Sequence, residues 1–106
     1  MEEITVFITT ATKADAEKIG TFLVETKLAA CANILPGVTS IFSWQGKTCT
    51  EEETLMIVKS RKALFSKLTE AVKKMHSYSN PEIIALPILD GSEDYLKWLR
   101  ENTLAS

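Results

Sequence analysis

The chain has 106 residues and a mass of 11.8 kDa, with 45% hydrophobic and 25% charged residues. This size and composition are typical of one soluble globular domain over residues 1–106, and they exclude a disordered or collagen-like chain. The net charge is −2, from twelve basic and fourteen acidic residues. Nucleic-acid binders are usually basic, so we expect no nucleic-acid partner and no binding to an acidic membrane surface.

The first half of the chain predicts two strands around one helix. A strand rich in Ile, Val, Phe and Thr covers Ile4–Thr10. Thr12 is a good N-cap for a helix over residues 13–27, whose apolar face carries Ala16, Ile19, Leu23 and Thr26. A second strand covers Ala29–Ser43. Pro36 and Gly37 interrupt it, so it should lie at a sheet edge or carry a bulge.

The second half predicts a hairpin, two helices and a fourth strand. Trp44–Lys47 is typical of a hairpin turn, and Thr48–Lys59 of the return strand. Ser60 is the predicted cap of a second helix, whose apolar spacing is given by Leu64, Leu68, Ala71, Val72 and Met75. A fourth strand follows at Ile83–Leu89. Ser92 then opens a third helix, with one side formed by Tyr95, Trp98 and Leu99.

The order βαββαβ plus a C-terminal helix predicts an α+β, two-layer, ferredoxin-like domain. One uncharged stretch, Leu28–Gly46, is long enough to span a bilayer. Its polar side chains and its Pro-Gly pair are costly in lipid, so a strand is expected there and no membrane span. The acidic chain start, with Glu2 and Glu3, is unlike a signal peptide.

The strand lengths predict an oligomer. The first and fourth strands have about seven residues, or roughly 23 Å, whereas the hairpin strands reach roughly 40–50 Å. The hairpin should therefore extend about 20 Å past helices that span roughly 22 Å. Ile41, Phe42 and Trp44 lie on this extension, and an apolar ribbon edge favours pairing with another chain. The alternative is that the ribbon curls back over its own sheet.

Two cysteines and one histidine limit the possible metal chemistry. One chain cannot supply the four ligands of a structural zinc site or of a four-cysteine iron–sulfur cluster. His76 is either a helix-end residue near the last carbonyls or a copper or zinc ligand. Cys31 is either a small buried hydrophobe or a thiolate ligand at a subunit interface. Two cysteines are too few for a disulfide scaffold, which favours a reducing compartment.

Half of the basic residues lie on or beside the second helix, where a solvated face is the ordinary interpretation. The alternative is an anion pocket that Lys59 forms near Tyr78 and Glu82. Glu82 is then either a strand-edge charge or the acidic partner of Lys59 in a cleft between subunits.

Several known activities of ferredoxin-like domains are disfavoured. The third strand carries Glu51–Glu53 and no aromatic residue, unlike an RNA-recognition motif. The segment Thr9–Thr12 lacks the paired cysteines of a copper metallochaperone. We find no acid–base or nucleophile pair, so we expect no enzyme activity.

A family resemblance covers the chain in one register. It is carried by Leu28–Ile34, Pro36-Gly37, Ser40–Lys47, Lys59-Ser60 and His76–Ile83, and further along by Leu86, Pro87, Gly91, Tyr95, Trp98 and Leu99. These segments resemble the CutA divalent-cation-tolerance family. The resemblance implies a cytoplasmic homotrimer of ferredoxin-like subunits, related in architecture to PII signalling proteins and associated with tolerance to copper and other divalent metals.

The chain departs from the family pattern around its histidine. The family segment resembles His-Pro-Tyr-Glu, whereas this chain has Ser77 and Ser79 on either side of Tyr78. A cysteine and a second histidine of some members correspond here to Thr9 and Met75. We therefore expect weak binding of copper or another divalent cation, with His76 the better ligand and Cys31 the second. The alternative is a PII-like module that binds a small anion in clefts between subunits.

Overall fold

A computed structural model of the chain describes residues 2–105. The predicted α+β class is confirmed, since one four-stranded antiparallel sheet is combined with three α-helices. The elements are β1 (Glu3–Thr10), α1 (Lys13–Glu25), β2 (Cys31–Trp44), β3 (Lys47–Arg61), a 3-10 turn (Lys62–Leu64), α2 (Phe65–Met75), β4 (Ile83–Pro87) and α3 (Glu93–Glu101).

The sheet has the order β2-β3-β1-β4, and all neighbouring strands are antiparallel. Strand β1 lies inside the sheet, where it pairs with β3 from Glu3 to Thr10 and with β4 from Ile4 to Ile8. Strand β2 is an edge strand, and its register shifts between Leu35 and Val38. The sequence prediction of an edge or a bulge at the Pro-Gly pair is confirmed on both points.

The hydrophobic core lies between one face of the sheet and helices α1 and α2. Alternation along β1 buries Ile4, Val6 and Ile8 on this face, and the core continues with Ala16, Ile19, Leu23, Met56, Val58, Leu68 and Val72. Gly20 lets α1 approach β2 closely, because a Cβ added there would lie 3.2 Å from the Cβ of Ala32. No helix within residues 2–105 is long and apolar enough to cross a membrane.

The predicted helix caps at Thr12 and Ser92 are confirmed. Each hydroxyl accepts a hydrogen bond from a backbone N–H three residues later, at 3.1 Å and 3.3 Å. Helix α1 ends at Glu25, and Thr26 is its exposed C-cap rather than part of the buried face. In α3, Leu99 is buried, whereas Tyr95 and Trp98 stack on each other and are largely exposed.

The predicted cap at Ser60 is wrong. Ser60 lies inside β3, fully buried, and its hydroxyl donates a 2.6 Å hydrogen bond to the carbonyl of Leu28. Strand β3 continues to Arg61, opposite Glu3 of β1, and α2 begins only at Phe65 after the 3-10 turn. Pairing with β1 extends the strand past a residue that would locally favour a helix start.

The β2–β3 hairpin extends beyond the sheet, as the strand lengths predicted. Its turn is formed by Gln45 and Gly46, with φ of 50° and 78°, which a two-residue type I′ turn requires. Pairing of β3 with β1 stops at Thr54, so Val38–Trp44 and Lys47–Glu53 pair only with each other. We call these two segments the ribbon. Its seven residue positions correspond to about 23 Å, and the molecule is 44 Å long but only 26 × 21 Å across.

The sheet face opposite α1 and α2 is largely apolar, and α3 covers one end of it, at Glu3 and Cys31. Residues directly opposite each other share a face, so this face carries Phe7, Leu35, Leu55, Ile57, Ile84 and Leu86. We call it the open face. Leu35, Ile84 and Leu86 are 42%, 50% and 43% exposed. On the ribbon, Phe42 and Trp44 continue the open face, whereas Ile41 points to its other side.

Candidate functional site

The segment between α2 and β4 folds against the end of β1 through His76. The backbone N–H of His76 completes α2 by donating to Val72, and its extended backbone then leaves the helix. The imidazole Nε2 lies 2.7 Å from the carbonyl oxygen of Thr9, and Nδ1 lies 3.0 Å from the backbone nitrogen of Tyr78. Both ring nitrogens of His76 are therefore in hydrogen bonds.

Tyr78 connects the same segment to the root of the ribbon. Its hydroxyl donates a 2.7 Å hydrogen bond to Oε2 of Glu53, which is the first residue of β3 beyond the pairing with β1. Glu53 is only 8% exposed. Burial, together with the hydrogen bond and the negative charge of Glu53, raises the pKa of Tyr78 from 10.0 to about 12. Tyr78 therefore stays a hydrogen-bond donor at any physiological pH.

A concavity of about 770 Å³ opens between the ribbon and this segment. Its lining from β1, the ribbon and the segment 78–82 is Thr9, Ser40, Ile41, Phe42, Trp44, Cys49, Glu51, Glu53, Tyr78, Ser79, Asn80 and Glu82. Among residues 2–105, no lysine or arginine lines it. Three carboxylates beside aromatic rings make the concavity a place of negative potential, which favours cations over anions.

The ligand-cleft residues predicted from the sequence are only partly brought together. Tyr78 and Glu82 line the concavity. Lys59 lies opposite Thr5 on β1, four residues from Thr9 and thus about 13 Å along the strand. There its ammonium donates to Oδ1 of Asn33. Within one chain, Lys59 does not join the other two residues.

The predicted metal ligands are also separated within the chain. Cys31 lies on β2 directly opposite Lys59, whereas His76 contacts the far end of β1. The thiol of Cys31 is 3.9 Å from Oδ1 of Asn33. Burial raises the pKa of the Tyr95 phenol, and the nearby thiol of Cys31 contributes to the same shift. The described part of the chain contains no group of three or more His, Cys, Asp or Glu side chains placed to hold a metal. Copper favours imidazole and thiolate ligands, so a single chain does not fit it.

Thr9, Glu51 and Glu53 were not predicted from the sequence as residues of this site. Strand alternation alone places Glu51 and Glu53 on one side of β3. That Tyr78, twenty-five positions later, reaches Glu53 depends on the path from α2 to β4, which carries no local signal.

Comparison with known proteins places this architecture in a family. The profile of the CutA1 divalent ion tolerance proteins matches residues 4–102. The chain belongs to the CutA1 family. It is 52% identical over 103 residues to the divalent-cation tolerance protein CutA of Thermus thermophilus, covering 97% of this chain and 99% of that protein.

Two plant relatives extend the family comparison. The crystal structure of CutA1 from Oryza sativa superimposes with a TM-score of 0.97 at 42% identity, over 100% of this chain and 97% of the other. A chloroplastic CutA of Arabidopsis thaliana is 44% identical over 94% of this chain, which spans only 55% of that longer protein.

Proposed function

We propose that this chain forms a homotrimer of ferredoxin-like subunits, without enzyme activity, that binds copper or another divalent cation weakly in a metal-response role. The observation that carries the cation assignment is the concavity with three carboxylates and no basic residue among its described lining. The CutA1 family membership of the chain supports the link to divalent cations.

The exposed apolar surface supports an oligomer. Leu35, Ile84 and Leu86 of the open face, and Ile41, Phe42 and Trp44 of the ribbon, are 40–70% exposed in one chain. Contiguous apolar surface of this kind marks a protein–protein interface. The ribbon extends away from its own sheet, so its apolar residues are available to a neighbouring subunit. The strand order β2-β3-β1-β4 supports the ferredoxin-like assignment. The proposed number of three subunits rests on the resemblance to the CutA family.

Weak rather than tight binding follows from the spacing of the carboxylates. Glu51 and Glu53 alternate on one strand, so their Cα atoms lie about 7 Å apart. The other carboxylate, Glu82, projects from a different segment. A cation held at such distances keeps part of its hydration shell, and a complete ligand set requires groups from a second subunit.

An anion-binding, PII-like role is the second candidate. It depends on Lys59, which within one chain lies at the other end of the sheet. An anion site would need Lys59 of one subunit to reach Tyr78 and Glu82 of the next. The negative charge of the concavity opposes such a site unless a neighbour supplies the lysine.

Calorimetric titration of the oligomer with copper(II) tests the cation assignment. We expect saturable, weak binding that Glu51→Gln reduces by about fivefold in Kd, since an ion close to a solvated charge gains about 1 kcal/mol. Glu52→Gln is the matched control, because it removes the same charge from the other side of the ribbon and should leave Kd unchanged. Equal effects of the two variants, or no binding at all, would contradict the proposal.

Further variants, and a titration with inorganic phosphate, separate the candidate ligands. Loss of binding in His76→Ala or Cys31→Ala would assign the metal to the residues predicted from the sequence. Binding of inorganic phosphate that depends on Lys59 and Tyr78, without copper binding, would favour the anion-binding alternative. The mass of the particle in solution, measured by light scattering on each sample, reports whether the oligomer is intact.

Two properties of the chain support the remaining parts of the proposal. No ring nitrogen of His76 is free to act as a base, which supports the absence of enzyme activity. Cys31 and Cys49 are both free thiols. Free thiols suit a reducing compartment, and on this ground we propose a cytoplasmic location.

A further inference from the structure

The hydrogen bonds of His76 determine its protonation state. A backbone N–H such as that of Tyr78 can only donate, so Nδ1 of His76 carries no proton. The carbonyl oxygen of Thr9 can only accept, so Nε2 carries the proton and donates it. These two partners therefore assign the Nε2–H tautomer to the neutral imidazole.

The two bonds place His76 between three elements. Its backbone ends α2, its Nε2–H reaches the end of β1, and its Nδ1 holds the backbone of Tyr78. The rings of His76 and Tyr78 pack with their centroids 4.8 Å apart. From there the Tyr78 hydroxyl continues the connection to Glu53 at the root of the ribbon.

We propose that His76 is a positioning residue, which holds Tyr78 against Glu53 at the root of the ribbon, and that it is not a metal ligand in this chain. A metal ion binds an imidazole nitrogen through its lone pair. The only lone pair, on Nδ1, accepts the Tyr78 N–H, and Nε2 is protonated and points at a carbonyl. Coordination would break one of these bonds and release the segment that carries Tyr78.

This inference goes beyond the proposed function and stands independently of it. Cation binding at the carboxylates of the concavity does not require a nitrogen of His76. If His76 proves to be a ligand, this inference fails while the cation assignment survives. If no cation binds, the cation assignment fails while this inference survives.

Nitrogen NMR of the intact oligomer tests the inference directly, because His76 is the single histidine of the chain. With 15N-labelled histidine at about pH 8, where imidazole is neutral, we expect one protonated nitrogen, Nε2, and one unprotonated hydrogen-bonded nitrogen, Nδ1. The pattern should be unchanged when Zn²⁺ is added until any Zn²⁺-binding site of the oligomer is saturated. A protonated Nδ1, rapid tautomer averaging, or a ring-nitrogen shift on adding Zn²⁺ would overturn the inference.

Amide hydrogen exchange of Tyr78 tests the positioning role. We expect exchange at least about tenfold faster in His76→Phe, because loss of one hydrogen bond to a partly buried amide is equivalent to about 1.4 kcal/mol. His76→Gln retains a donor for the Thr9 carbonyl but has no acceptor at the δ position, so it should show the same increase if His76→Phe does not fold.

The control for this measurement is Tyr78→Phe, which retains the backbone N–H and the acceptor on His76. We expect the residue 78 amide to stay protected in that variant. The amides of Val6 and Val58, in the buried centre of the sheet, report in every variant whether the fold is intact. Unchanged protection at position 78 in a folded His76→Gln protein would refute the positioning role.

Discussion

The hydrogen bond between Tyr78 and Glu53 is the contact whose removal should be most informative. Tyr78→Phe deletes the hydroxyl and retains the ring, leaving Oε2 of a carboxylate that is 8% exposed without its 2.7 Å donor. A hydrogen bond to a charged group contributes about 1.5–3 kcal/mol. Because Tyr78 is only partly buried, we expect a loss near the lower end of that range in the free energy of unfolding.

A double-mutant cycle with Glu53→Ala isolates this pairwise contribution. Urea unfolding of the wild type, the two single variants and the double variant, at one subunit concentration, gives the coupling energy. We expect the double variant to be more stable than the sum of the single losses predicts, by about 1–2 kcal/mol. Coupling within about 0.5 kcal/mol of zero would refute the idea that the bond stabilises this site.

Tyr95→Phe is the matched control for the cycle. Tyr95 lies on α3 and is 42% exposed, far from Glu53 in the fold. The neighbour of its hydroxyl is the thiol of Cys31, a weak hydrogen-bond partner, so removing this hydroxyl should change the free energy of unfolding by less than about 0.5 kcal/mol. A loss in Tyr95→Phe as large as that in Tyr78→Phe would show that any lost hydroxyl has this cost.

Three further predictions follow from the structure. Because the folded pKa of Tyr78 is raised from 10.0 to about 12, this tyrosine stabilises the fold fully below pH 10 and less as pH rises towards about 12; the wild type should lose about 1–2 kcal/mol more than Tyr78→Phe in urea unfolding over that window. Trp44→Ala should lower the mass of the oligomer on dilution, measured by light scattering, because Trp44 is 53% exposed on the ribbon. Leu89→Ala, at a 97% exposed site off the ribbon, should leave that mass unchanged. Lys27→Gly should raise the free energy of unfolding by about 0.5–1 kcal/mol and Tm by a few degrees, because Lys27 follows the C-cap of α1 with a φ of 61°; an unchanged or lower Tm would contradict the strain assigned there.

The hydrogen bonds that connect Thr9 through His76 and Tyr78 to Glu53, which we call the tether, and the acidic concavity have different consequences for the ribbon. The cation assignment concerns Glu51 and Glu82, which are exposed, together with the buried Glu53. The tether concerns groups that face each other, and its members are buried or partly buried. A variant that loosens the tether should therefore change the orientation of the ribbon and hence assembly, whereas neutralising Glu51 should change cation affinity alone.

Local signals in the sequence were sufficient to predict most of the fold. The N-caps at Thr12 and Ser92 depend on residues three positions away, and the hairpin turn depends on Gln45-Gly46 alone. The interruption at Pro36 predicted an edge position or a bulge in β2, and the structure has both. Each of these signals acts over a few residues, so it can be identified without knowing what packs against it.

The tertiary structure alone decided the site. Ser60 would start a helix by its local preference, yet pairing with β1 places it inside a strand. Thr9 and His76 are 67 positions apart, and only the path of α2 over the sheet brings the imidazole to that carbonyl. Likewise, Lys59 is separated from Tyr78 and Glu82 by the antiparallel register of β3 with β1, which no local pattern encodes. Residue types and spacing in the sequence named the candidate groups, whereas long-range strand pairing determined which of them meet.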